Sequence, residues 1–266
     1  MNMQERDRQM AANSGEAQLP LPDPLRTGGR FRPFANDPGR DEAWWWLGIP
    51  AALAIFLLAV NAISPAFYEA WILPEGYGFL ELGHFLIPIP GLVIALALLA
   101  RPWVRRRRLV TLVVVIGALA CFYIAGEEQS WGQHFFNWQT PGYWAEINRQ
   151  QETNLHNTMD LFDKKPRALL EIGVLVGGLI IPVAALFLPW IRRNRWSLFL
   201  PAAAIMPVSA GALFFKLMAT VQKEAGVDAL VLRPAEATES YLYLFILFYL
   251  VMFARRVREL EAAEKS

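Results

Sequence analysis

Six apolar runs, each long enough to cross a bilayer, constrain this chain more than any other feature. A transmembrane helix needs about 20 mostly apolar residues. The runs cover Trp44–Ile63, Gly78–Ala100, Leu109–Gly126, Ala168–Trp190, Ser197–Val221 and Glu239–Ala254. Hydrocarbon offers the backbone no partners, so such runs must be helical. The expected fold is all-α: a polytopic integral membrane bundle of about six transmembrane helices. Composition agrees, with 18% charged residues against roughly 25% in soluble domains. Pro88, Pro90, Pro201 and Pro207 fall inside the second and fifth runs and are expected to kink them. No internal repeat is evident, which argues against an inverted-repeat transporter.

Basic residues set the expected orientation. Arg101, Arg105, Arg106, Arg107 and Arg108 separate runs two and three. Arg192, Arg193 and Arg195 separate four and five, and Arg255, Arg256 and Arg258 follow six. The stretch Ser64–Tyr77 has no Lys or Arg. The positive-inside rule then places both termini in the cytoplasm. Residues 1–43, polar and rich in Pro, Gly, Arg and Asp, are expected to form a disordered tail without a secretory signal. Residues 44–254 form the transmembrane domain, with an outer interfacial segment at 127–167, and 255–266 a second cytoplasmic tail. The arginine run at 105–108 reads as a topology signal and a contact for the lipid bilayer, not as a nucleic-acid site. The single cysteine, Cys121, excludes an intrachain disulfide and a cysteine-based zinc site.

On this topology the inner side carries 18 Lys and Arg against 10 Asp and Glu, and the outer side 7 against 14. All three histidines join the outer acids. His84 follows Glu81 by three residues and shares its helical face. Glu127, Glu128 and His134 lie in the run Glu127–Glu128–Gln129–Ser130–Trp131–Gly132–Gln133–His134 at the mouth of the third apolar run. Glu152, His156 and Asp160 are spaced by four, as on one helical face. Glu171, Glu236 and Glu239 complete a ring at one membrane level. If the third helix continues past Gly126, Tyr123, Glu127, Trp131 and His134 form one stripe. Gly117, Cys121 and Ala125 form another, whose small residues let helices approach and direct Glu128 into the bundle. Ionisable groups at membrane depth usually mark function.

Imidazole and carboxylate suit zinc or iron. The expected ligands are His84, His134, His156, Glu81 and Glu152, with Glu127 and Glu128 as catalytic carboxylates activating a metal-bound water. Gln133, Asn154 and Asn157 suit supporting hydrogen bonds. Trp131, Phe135, Phe136, Trp138, Tyr143 and Trp144 suit the headgroup level. Thr140–Pro141 is expected to start a short helix there. Lys216 is expected to snorkel outward or to pair with an outer acid.

The strings Glu127–Glu128–Gln129–Ser130–Trp131–Gly132–Gln133 and Asn154–Leu155–His156–Asn157 resemble a family of uncharacterised polytopic membrane proteins of bacteria and archaea. Its members share E-E-x-S-W-G-Q followed by N-L-H-N. The resemblance covers roughly the middle third of the chain and brings no activity with it; the expected location is the bacterial inner membrane, as a multi-pass protein. That family often has arginine where this chain has His134, which shifts weight to Glu127, Glu128, Glu152 and His156. Ceramidase-type and adiponectin-receptor-type membrane hydrolases, with a zinc held by three His in a helical bundle, offer an analogy. Their paired H-x-x-x-H is absent here. The expected function is a metal-dependent hydrolase or transferase acting on a lipid-like substrate. The alternative is a non-catalytic accessory or assembly subunit with partner subunits in a larger membrane complex.

Overall fold

The computed structural model describes residues 37–38, 40–155, 157–191, 195–226 and 231–265. Among them there is no strand. Six helices are long and apolar enough to span a membrane: α1 (Trp44–Ile63), α2 (Phe79–Leu99), α3 (Arg108–Glu128), α4 (Lys165–Phe187), α5 (Trp196–Ala225) and α6 (Pro234–Ala263). The chain is thus an all-α integral membrane bundle.

α6 is the axis. Of its most apolar stretch 67% is buried, against 22–33% for the other five helices. It packs on α5 and α2 and reaches α3 and α4. The α5 contact is close because Gly211 leaves room for the ring of Tyr241. Tyr241 is fully buried, and its hydroxyl donates to the carbonyl of Pro50 at 2.6 Å, tying α6 to α1. The outward faces of the other helices stay apolar. Ile55, Leu96, Leu119 and Leu186 are more than half exposed. Exposed apolar area on this scale needs a cover, which lipid supplies.

Several boundaries differ from the sequence expectation. α2 is interrupted between Leu86 and Pro88, because proline lacks the N–H that the ladder needs and crowds the preceding turn. Pro201 lies in a non-helical stretch that interrupts α5 after Leu198, whereas Pro207 does not kink it. Its regular part begins at Met206, with Pro207 in the first turn where no N–H is required. α4 carries one wide turn at Val176–Ile180 just before Pro182, a way of accommodating proline within a helix. α6 has 30 residues, about 45 Å, far longer than Glu239–Ala254. Its last turns are charged and therefore invisible to hydropathy.

Ion pairs accompany that extension. Glu261 pairs with Arg101, and Glu264 accepts from Arg107 Nη2 at 2.6 Å. Residues 255–263 continue α6 as helix. Glu42 pairs with Arg255 at 2.5 Å and Asp37 with Arg256 at 2.6 Å, so the last residues of the expected N-terminal tail pack on the bundle. Residues 1–36 lie outside the described residues. The interfacial segment also shrinks. Glu127 and Glu128 belong to α3, and the helix leading into α4 already starts at Asp160. The bundle thus has a basic end, where α6 finishes, and an acidic end, where it starts.

Candidate metal centre

Three helices bring the central groups together at the acidic end. α2 supplies Glu81 and His84, α3 supplies Glu128, and α6 supplies Glu236, Glu239, Ser240 and Tyr243. His84 is fully buried. Its Nδ1 lies 3.2 Å from Glu128 Oε2. Its Nε2 lies 2.9 Å from Ser240 Oγ and 3.1 Å from the Glu236 carbonyl. The Tyr243 hydroxyl donates to Glu128 Oε1 at 2.8 Å, and its ring meets the imidazole edge-on. One ligand atom each from His84, Glu128 and Glu239 lie within 4.8 Å of one another, as do those of Glu81, His84 and Glu236. Arg167 on α4 pairs with Glu239 and, at 3.3 Å, with Glu171. Glu171 also accepts from Lys216 at 2.8 Å, the acid pairing expected for that lysine.

The remaining predicted residues form a second network beside this one. α3 ends at Glu128, and the backbone then turns left-handed at Ser130, Trp131 and Gly132 (φ 45°, 56° and 104°). The expected stripe from Tyr123 to His134 is therefore broken. Glu127 turns away from His84: its oxygens accept the Trp131 indole N–H and the Leu155 backbone N–H, both at 2.7 Å. Gly126 provides the floor for the Trp131 ring, since a Cβ there would sit 2.7 Å from it. Gln133 Oε1 accepts from the backbone and the hydroxyl of Thr153 at 2.8 Å each. Asn154 Nδ2 donates to Ser130 Oγ at 2.9 Å and to Glu152 Oε2 at 2.6 Å. The two strings singled out in the sequence are thus the two halves of one hydrogen-bonded loop. Glu152 precedes the next helix rather than lying on it, so the expected helical face Glu152–His156–Asp160 is not formed. His156 lies outside the described residues. The short helix after Pro141 is present as Gly142–Ile147.

Ser130, His134 and Glu152 meet here but do not form a nucleophilic triad. In a triad the acid holds the imidazole nitrogen remote from the hydroxyl. Here His134 Nε2 faces both Ser130 Oγ (3.1 Å) and Glu152 Oε1 (3.3 Å), while Ser130 donates to Glu152 at 2.8 Å. Ser130 is also fully buried. The hydrogen bond that His134 donates to Glu152 raises the His134 pKa against the opposing effect of burial. Burial pushes Glu152 up, but the bonds from His134 and Ser130 outweigh it and hold the carboxyl below its ordinary value. Glu127, His134 and Glu152 are therefore grouped away from His84.

Sequence reasoning did not single out Arg167, Ser240 or Tyr243. Ser240 and Tyr243 sit inside an apolar run, where only the helical phase from Glu236 and Glu239 would have marked them. Two further groups carry a signal of another kind. Tyr68 OH and Gln129 Oε1 are buried with no hydrogen-bond partner. Burial pushes the Tyr68 hydroxyl up to about 12, with the negative charge of Glu236 adding to the shift. No protein-family model matches this chain, and neither does any curated protein or solved structure.

Proposed function

We propose that the cluster around His84 binds a divalent metal ion and that the protein is a metal-dependent hydrolase or transferase acting on a lipid-like substrate. The observation that carries this reading is the convergence of Glu81, Glu128, Glu236 and Glu239 on one buried imidazole. Arg167 pairs with Glu239, and Arg233 pairs with Glu236 at 2.7 Å. That much carboxylate at membrane depth requires further positive charge. A metal ion supplies it, and one imidazole among carboxylates suits zinc, iron or manganese.

His84, Glu128 and Glu239 would hold the ion. Tyr243 fixes Glu128 from behind, as supporting hydrogen bonds do for metal ligands. An ion held there would supply the Lewis acidity that activates a water near neutral pH, for which Glu81 or Glu236 would be the candidate base. Buried polar groups are normally paired, so the orphaned Tyr68 hydroxyl and Gln129 carbonyl are the natural partners for a polar substrate group. Exposed Trp71, Phe136 and Tyr143 in the adjoining connections suit the headgroup level, where a lipid-like substrate would present its polar part.

The test is release of water-soluble or acyl products from a mixed lipid extract by purified protein. Activity that a chelator removes and zinc, iron or manganese restores supports the reading. Glu128→Gln should lower that activity at least about 100-fold, the usual scale for a lost catalytic carboxylate. Activity indifferent to both chelator and Glu128→Gln would contradict it.

A second reading, an accessory subunit of a membrane complex, draws support from the engagement of Glu127, Gln133, Glu152 and Asn154 in the loop network. Recovery of a stoichiometric partner from mild detergent would favour it.

A further inference from the structure

We propose that the basic end carries a separate site for a phosphate-bearing anionic lipid, and that Asp37 of the N-terminal segment competes with that lipid for Arg256. A cavity of about 240 Å³ lies between α4, the irregular first part of α5 before Met206, and the end of α6. Native interiors leave few voids larger than a water molecule. Ile181, Pro182, Ala185, Leu200 and Ala202 give it apolar walls, and Asp37, Ser197 and Arg256 give it a polar end.

Arg256 is 4% exposed. Its Nη1 donates to the carbonyls of Ser197 (2.8 Å), Leu198 (3.3 Å) and Leu200 (2.6 Å), which fixes the guanidinium plane. The other edge, Nε and Nη2, meets the two oxygens of Asp37 at 2.6 Å each. A two-pronged guanidinium edge held this way accepts carboxylate or phosphate alike. Asp37 therefore occupies the position that a phosphate would take. Beside it the Ser197 hydroxyl is buried without a hydrogen-bond partner, a donor that a third anion oxygen would satisfy.

The walls decide between a lipid and a soluble anion. Ile181 lies six residues inside the end of α4, about 9 Å into the span. An acyl chain fits that lining, and a hydrated anion does not. Arg101, Arg107 and Arg255 share this end of the bundle, and arginine at the headgroup level favours anionic lipid.

Thermal unfolding of the purified chain in detergent tests the site, with phosphatidylglycerol, phosphatidylcholine or inorganic phosphate added in parallel. Phosphatidylglycerol should raise Tm more than phosphatidylcholine, and inorganic phosphate should leave it unchanged. Ala185→Leu, which fills the cavity, should remove the selective shift. Ser197→Ala should weaken it with the lipid-free Tm retained. Asp37→Asn should lower the phosphatidylglycerol concentration needed several-fold. Equal shifts with both lipids, a full shift with inorganic phosphate, or a selective shift that survives Ala185→Leu would overturn the site. An unchanged concentration dependence in Asp37→Asn would overturn the competition.

Discussion

Trp131 holds a left-handed backbone (φ 56°, ψ 27°), a conformation that costs a bulky residue of order 1–3 kcal/mol. Its neighbours support it. Gly126 leaves room for the ring, Phe122 meets it edge-on, and Glu127 accepts its N–H. Glu127 is 3% exposed, and its removal strands two part-buried donors, the Trp131 indole and the Leu155 backbone N–H, each worth about 1–2 kcal/mol. Glu127→Ala should therefore lower the thermal stability of the detergent-solubilised protein by about 2–4 kcal/mol. Tyr243→Phe should do something different: weaken metal affinity about 10–100-fold, with little loss of Tm, read by competition with a metal indicator. A large Tm loss without a change in affinity would assign Tyr243 to packing. The His134–Glu152 pair adds a pH signature. Glu152 is held below 4.5 and His134 above 6.5. The pair's contribution is complete between those ordinary values, and it fades as pH falls through the Glu152 value or rises through the His134 value. Stability should fall on raising pH from about 6 to about 9, and His134→Gln should flatten that part of the profile.

At the scale of elements, the spans were legible because apolar composition is a property of each run alone. The ends were not, because ion pairs with distant segments set them, as Glu261 and Glu264 do for α6. The site divides in the same way. Glu81 and His84 declare themselves by their spacing on one helix, and Glu128 by the small residues that precede it on α3. Arg167 lay at the very edge of an expected span. The contact of Tyr243 with Glu128 depends on how α6 is rotated against α3, which no local pattern encodes. The separation of Glu127 from Glu128 came from α3 ending where the left-handed turn begins. Packing of α5 on α6 offers its own prediction. A Cβ at Gly211 would stand 2.1 Å from the Tyr241 ring, so Gly211→Ala should cost about 1–3 kcal/mol through overpacking. A chemical unfolding curve in mixed micelles measures it, and an unchanged midpoint would show that the helices can part freely.

The whole molecule is polarised. Arginine-bound carboxylates close its basic end. At the opposite end four carboxylates gather on one imidazole, with α6 running the full length between them. Arg167 and Arg233 pair with two of these half-buried carboxylates, and a metal ion is proposed to supply the further positive charge. Metal analysis of protein purified without chelators, then titrated with zinc, iron and manganese, addresses it directly. About one tightly held ion per chain is expected, lost in His84→Ala and Glu239→Gln and retained in His134→Gln. Protein that is metal-free and takes up none of the three ions, or that keeps its ion in His84→Ala, would contradict it.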